Sequence, residues 1–173
     1  IYGRWGSTEQ VMFHFLRSST VQPPAPSKDL VEALRGLPSS NIADVMRGSR
    51  VTRILRPLSL APHRMCGPAL TVRVPPGDHL FVQKAIDDAL PGDVIVVDAG
   101  GDLTNAIIGE LMLAQMIRRG LGGIVINGAI RDSAAIRARS FPVFAAGITH
   151  RGPYKDGPGD IRSEEHTSEL QSL

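Results

Sequence analysis

A chain of 173 residues, 42% apolar and 21% charged, is long enough for one globular domain with a substantial core. Aromatics are only 5%, so the core is aliphatic, and no apolar run reaches the roughly 20 residues that cross a bilayer. A net charge of +2 with no basic stripe argues against a direct nucleic-acid partner, and a lone Cys66 excludes both a disulfide framework and a cysteine-built zinc site.

Residues 1–17 show no period, and Ser18 to Ser27 (SSTVQPPAPS) is rich in Pro and Ser. Residues 1–27 are therefore expected to be an N-terminal segment and extended or disordered linker. The N-terminus lacks the basic, apolar, small-residue order of a secretion signal, so a cytoplasmic location is the default expectation. Leu30, Val31, Leu34 and Leu37 have helical spacing, with Ser27 or Asp29 as cap. Ser39-Ser40-Asn41 is placed to cap a second short helix over Ile42–Met46. Further strands are possible between 51 and 65. Ala69–Val74 alternates and is β-branched, so it reads as a strand. Leu80–Ala89 has a helical period, Pro91-Gly92-Asp93 a turn signature, and Val94–Val97 the continuous apolar character of a buried strand. After the loop Asp98–Asp102, a helix is expected over Ile107–Arg119, a strand over Gly123–Ile126, a short helix over Ser133–Arg139 and a strand over Pro142–Ala146. Helices alternating with buried strands indicate an α/β domain with parallel strand pairs, made mixed by Ala69–Val74 and its neighbours.

The final residues have another character. Arg162 to Ser172 (RSEEHTSELQS) match the direct translation of a common short-read sequencing adapter, so 162–173 are expected to be a non-native tail and the domain to occupy 28–161, cut short at its C-terminus. Without Arg162, Glu164, Glu165 and Glu169 the net charge becomes +4.

In α/β sheets, ligands bind beyond the carboxyl ends of strands. Two segments lie there: Asp98-Ala-Gly-Gly-Asp102, continuing to Gly109-Glu110-Leu111-Met112, and Asn127-Gly-Ala-Ile-Arg131-Asp132. Arg131 can hold a carboxylate or enolate oxygen in a planar fork. Asp132 can hold a hard divalent cation together with waters and substrate oxygens. Gly109 permits close approach of a ligand, free N–H groups of Leu111 and Met112 at a helix start can bind a carboxylate, and Glu110 can act in proton transfer. Taken singly, these pieces read more readily as a surface ion pair, a helix cap and an ordinary helix start. His63 and His79 read as packing or surface residues, Cys66 as a small buried residue, and Arg118-Arg119 and Arg137/Arg139 as solvated helix faces. Asp44, Asp98 and Asp102 stand at no recognised ligand spacing, and Gly100-Gly101 has no GxGxxG or Walker pattern around it.

Jointly the pieces are more specific. Gly67-Pro-Ala-Leu-Thr-Val72, Gly77-Asp78, Pro91-Gly-Asp-Val-Ile-Val-Val-Asp98, Gly109-Glu110-Leu111, Gly120-x-x-Gly123 and Gly128-Ala-Ile-Arg-Asp132 follow one another in order. This order resembles the ribonuclease-activity-regulator-A-like / 4-hydroxy-4-methyl-2-oxoglutarate aldolase family over roughly Leu30 to Gly159. That family's signature is an acidic residue, twenty intervening residues, then Arg-Asp. Glu110 and Arg131-Asp132 meet it, with Glu in place of the usual Asp. Another departure is His79, where the family commonly has Asn.

The resemblance implies a swivelling β/β/α-type domain, with a mixed sheet flanked by helices, assembled as a homotrimer or hexamer with sites between subunits. It implies a lyase that cleaves pyruvate-derived 2-oxo acids with a divalent cation, Mg²⁺ or Mn²⁺, and that decarboxylates oxaloacetate through the same enolate. By the same resemblance Asp132 is the metal ligand, Arg131 contacts the pyruvyl oxygen, Glu110 holds a metal water, and the Gly109–Met112 backbone receives the substrate carboxylate. A further acidic residue, supplied by a neighbouring subunit, is placed beyond residue 161, so this chain by itself is expected to be inactive. Some relatives instead bind and inhibit ribonuclease E, which makes a non-catalytic regulator the alternative. A methyltransferase reading finds no glycine-rich cofactor loop.

Overall fold

Residues 25–46, 54–59 and 64–161 are described by the computed structural model. Most of the expected linker, His63, the stretch just after Val51 and the 162–173 tail lie outside them. In chain order the elements are α1 (Lys28–Arg35), α2 (Ser39–Val45), β1 (Arg56–Pro57), β2 (Ala69–Arg73), α3 (Leu80–Asp88), β3 (Val94–Asp98), β4 (Ala106–Ile108), α4 (Glu110–Arg118), β5 (Gly123–Ile130), α5 (Ser133–Arg137), β6 (Val143–Ile148) and β7 (Asp160–Ile161).

The aliphatic runs form one seven-stranded mixed sheet of order β1-β6-β5-β3-β2-β7, with β4 also paired to β5. The four central strands are parallel, and the two-residue strands β1 and β7 close the edges antiparallel. The parallel strands step across the sheet in one direction, so their crossover helices stand side by side. α3 packs on β2, β3 and α4, and α4 packs on α5. Ile86, Ile95, Leu113, Met116, Ile124 and Ile126 are completely buried between these layers, each contributing about 1.5–3 kcal/mol by leaving water. No helix among the described residues is long and apolar enough to cross a membrane.

Several boundaries differ from the sequence expectation. Ser27 does cap α1, accepting from the Leu30 N–H at 3.2 Å. Ser39-Ser40-Asn41, expected as a cap, already forms the first turn of α2, behind Pro38. The helix expected from Ile107 starts at Glu110, because the buried residues Ala106, Ile107 and Ile108 pair with β5 as a short strand. The strand expected to stop at Ile126 runs on to Ile130. Its first half pairs with β3 as far as Asp98↔Asn127, and its second half takes β4 as neighbour, Ala106↔Ala129 and Ile108↔Ile130. The switch coincides with a bulge against β6 between Ile126 and Ala129, the irregularity that bends a strand and redirects its end.

Candidate functional site

The β4–β5 pairing builds the site. With Ile108 beside Ile130 and the Arg131 N–H donating to the Ile108 carbonyl at 3.0 Å, the residues that follow the two strands, Gly109-Glu110 and Arg131-Asp132, are forced together. The helix α4, a turn at Gly120 and the strand β5 occupy the twenty residues between them. Glu110 is the first residue of α4, and its N–H donates to Asp132 Oδ2 at 3.0 Å. Gly109 has no side chain with which to cap α4, so Asp132 caps it from across the ladder, a charge placement that the helix N-terminus favours. Arg131 Nε lies 3.7 Å from the same oxygen.

This proximity explains Gly109. Its backbone is extended (φ −141°, ψ −168°) and open to any residue, but a Cβ there would collide with Asp132 Oδ2 and approach Arg131 Nε to 2.9 Å. Asp132 is the only non-glycine residue with positive φ among those described (φ 54°, ψ 37°), a sparsely populated conformation, and its carboxylate makes no cap bond to its own helix α5. The side chains of Arg131 and Asp132 remain 42% and 44% exposed. They line an open groove of about 690 Å³ with Glu110, Ser133, Ile148, Thr149 and His150, at the carboxyl ends of β5 and β6. Glu110 Oε1 lies 3.4 Å from Arg139 Nη2. Arg139, expected on a solvated face, thus pairs with Glu110.

A second structure backs Arg131. The buried Asp78 carboxylate accepts the N–H groups of Leu80 (2.8 Å), Asp156 (2.7 Å) and Gly157 (2.6 Å). It thereby ties the start of α3 to the 151–157 loop. Asn105 Nδ2 donates to the Gly152 carbonyl at 2.6 Å, and a Cβ on Gly152 would come within 3.2 Å of Arg131 Nη1. His79 follows Asp78. Both its ring nitrogens are buried without a hydrogen-bond partner, an arrangement that costs about 1–3 kcal/mol per unmet group. Burial, then Lys155, and more weakly Arg131, lower its pKa from the ordinary 6.5, with Asp78 opposing. The expectation of a plain packing or surface histidine does not account for these two nitrogens.

Glu110, Arg131 and Asp132 are thus brought together, with Gly109 beneath them. Met112 is buried against the core while Leu111 is 83% exposed, and the Glu110 N–H is already used by Asp132. The Asp98–Asp102 segment does not join them. Asp98 accepts from Gly100 N–H (3.1 Å) and Asn127 Nδ2 (3.0 Å), and Asp102 accepts from Thr104 and Asn105 N–H, both at 3.1 Å, so each holds its own loop. Burial draws the Asp102 carboxyl upward, but these N–H donors outweigh it and leave its pKa lowered. No group of three or more His, Cys, Asp or Glu side chains gathers among the described residues. The donor set at the groove, Asp132 with Glu110 near it, fits a cation that takes one or two carboxylates and completes its shell with water and substrate oxygens. Sequence reasoning missed Asp78, the 151–157 loop and Arg139. None has a local signal, because each acts on residues distant in the chain.

Residues 39–167 match the aldolase/RraA profile of the RraA-like family. A Halalkalibacterium halodurans protein provisionally named a 4-hydroxy-4-methyl-2-oxoglutarate aldolase is 42% identical over 134 residues, 77% of this chain and 63% of its own length. The chain spans about 60% of the length of the curated relatives it matches. Among solved structures, the RNA-processing inhibitor RraA of Thermus thermophilus shares the fold, with a TM-score of 0.65 and 24% identity over 72% of this chain and 76% of that one. A Geobacillus kaustophilus structure described as an S-adenosylmethionine:2-dimethylmenaquinone methyltransferase gives a TM-score of 0.63 and 31% identity over 72% and 78%. The mixed seven-stranded sheet, the paired Gly109-Glu110 and Arg131-Asp132 segments and the profile match agree: the chain belongs to the aldolase/RraA family.

Proposed function

We propose that this chain carries the enolate-forming site of a divalent-metal-dependent lyase. It would cleave 2-oxo acids of the 4-hydroxy-4-methyl-2-oxoglutarate type and decarboxylate oxaloacetate. The observation that carries this reading is the convergence of Glu110, Arg131 and Asp132 on one open groove. Breaking a carbon–carbon bond beside a 2-oxo acid sends an electron pair into the carbonyl and leaves a pyruvate enolate. Arg131 offers a fixed cationic fork to the carboxylate and the developing enolate oxygen. Mg²⁺ or Mn²⁺, held through Asp132, would supply Lewis-acid stabilisation of that charge. Glu110 is the group in the groove that can hold or move the proton leaving the 4-hydroxyl. The N–H groups of Leu111 and Met112, at the start of α4, face the charge of a substrate carboxylate favourably.

The openness of the groove and the exposure of Leu111 and Ile148 support closure of the site by a second copy in a homotrimer or hexamer. The test is pyruvate release from oxaloacetate and from 4-hydroxy-4-methyl-2-oxoglutarate, with Mg²⁺, with EDTA and with Arg131→Ala. Turnover that requires both the metal and Arg131, falling about 100-fold or more in the variant, is expected. A folded, metal-supplied protein that turns over neither substrate would refute the lyase reading. The regulator reading would then be tested as inhibition of RNA cleavage by ribonuclease E.

A further inference from the structure

The ladder that brings Glu110 to Arg131 has a second flank. At its carboxyl end β5 lies between β4 and β6, with Ile130 opposite Ile108 on one side and Ile148 on the other. Beyond Ile130 three segments leave the sheet side by side: Gly109-Glu110, Arg131-Asp132 and Thr149-His150. The Thr149 N–H donates to the Ile130 carbonyl at 2.9 Å, which carries the β6 register one residue past the strand. His150 therefore flanks Arg131-Asp132 on the side away from Glu110. Its backbone is held from both neighbours. Thr149 Oγ1 donates to the Thr104 carbonyl at 3.2 Å, and the Arg151 carbonyl accepts the Ala106 N–H at 2.9 Å. The exposed His150 side chain lines the same groove as Glu110, Arg131 and Asp132.

The polar groups of the groove are not equally available. Asp132 accepts the Glu110 N–H, Glu110 pairs with Arg139, and the Thr149 hydroxyl is given to a carbonyl. Arg131 is the group that the lyase reading assigns to the oxo-acid end. Ser133 and His150 remain as donors, and the His150 side chain makes no hydrogen bond or ion pair among the described residues. Of the two, only the imidazole can take up a charge that matches a carboxylate, and it keeps at least one N–H in either protonation state. The groove has room for far more than a pyruvyl unit. A substrate cleaved beside its oxo-acid end must lay its other half along the same lining. A second carboxylate there is repelled on the Glu110 flank by like charge and meets a donor on the His150 flank.

We propose that His150 is a specificity-determining residue of this groove, its imidazole donating to a second carboxylate on the 2-oxo acid whose oxo-acid end Arg131 holds. The site then favours dicarboxylic 2-oxo acids over monocarboxylic ones of the same length. The proposal rests on the lyase reading above and adds to it the residue that recognises the leaving half of the substrate.

The experiment uses a matched pair of probes that lack the 4-hydroxyl needed for cleavage. One is 2-oxoglutarate; the other is 2-oxopentanoate, which has a methyl group in place of the far carboxylate. Calorimetric Kd values for both, with Mg²⁺, are compared in wild type, His150→Ala, His150→Gln and Arg131→Ala, beside oxaloacetate turnover and melting temperature. Wild type is expected to bind 2-oxoglutarate about 10-fold or more tightly than 2-oxopentanoate. H150A loses that preference, keeps its 2-oxopentanoate Kd within about two-fold of wild type, and melts as wild type does, because the side chain removed is exposed and unpaired. H150Q, which keeps an N–H donor, recovers part of the preference, and Arg131→Ala weakens both probes. A wild type that binds the two probes equally overturns the proposal, as does an H150A protein that retains the wild-type preference. Where H150A does not fold, the ring ¹⁵N resonances of His150 in the wild-type protein decide. A shift with 2-oxoglutarate and none with 2-oxopentanoate supports the contact, and the same response to both overturns it. Arg131-dependent oxaloacetate turnover beside any of these failures overturns this proposal alone. Wild-type protein that binds neither probe and turns over no oxaloacetate overturns the lyase reading together with it.

Discussion

Asp78 and Asp132 perform the same local task in opposite ways. Each accepts an N–H from the first turn of a helix, Leu80 of α3 at 2.8 Å and Glu110 of α4 at 3.0 Å. Asp78 is 2% exposed, and two further N–H groups complete its shell. Asp132 keeps 44% of its side chain exposed, sits at positive φ, and is approached by one guanidinium at 3.7 Å. A carboxylate surrounded by protein donors fastens the fold. One that is partly satisfied, held in a rarely occupied backbone conformation and open to a groove retains capacity for a ligand.

That distinction can be broken by substitution. The largest structural effect is expected from Asp78→Ala, which takes the shared acceptor from three N–H groups and should cost about 3 kcal/mol in urea denaturation. A loss below about 0.5 kcal/mol would mean that Asp78 is no fastening. Asp132→Gly should change stability by no more than about 1 kcal/mol, since relief of the positive φ offsets the lost helix cap, while pyruvate release falls about 100-fold. A D132G protein as unstable as D78A would merge the two aspartates into one class. Gly109→Ala lies between them. The methyl group must displace the Asp132 carboxylate, and a cost of about 2 kcal/mol with impaired turnover is expected.

Smaller effects sharpen the picture. His79 has a folded pKa below its ordinary 6.5, with Lys155, Arg131 and Asp78 around it. The unfolded chain therefore takes up a proton there first as pH falls. Its contribution to stability is complete above pH 6.5 and is lost as pH drops below that value. His79→Phe should remove that part of the pH dependence, measured as the slope of unfolding free energy between pH 7 and pH 5. The smallest effect is expected for Arg139→Ala. It breaks a 3.4 Å pair between half-exposed side chains, and should lower stability by less than about 1 kcal/mol, vanishing in high salt.

The alternation of helices with aliphatic strands was readable in the sequence because Val94–Val97 and Gly123–Ile126 are too short and too apolar for anything but buried strands. The pairing of Glu110 with Arg131-Asp132 was readable only jointly, as a spacing. The strand Ala106–Ile108 was not, since an apolar run leading into Leu111, Met112 and Leu113 carries no period that separates three strand residues from a longer helix. Asp78 gave no sign of its role either. Its partners Asp156 and Gly157 are 78 and 79 residues away, and such contacts follow from topology, which a one-dimensional pattern does not hold.

The ladder joining Ile108 to Ile130 has a consequence for how this site can vary among relatives. The distance between Glu110 and Arg131 is fixed by hydrogen-bonded register, not by the number of residues between them. Insertions or deletions in the loop before Ala106 lie outside that ladder and leave its register untouched. A one-residue slip of β4 against β5 would separate the two groups even in a chain of unchanged length. The site therefore depends on the short strand before Gly109 being held in place.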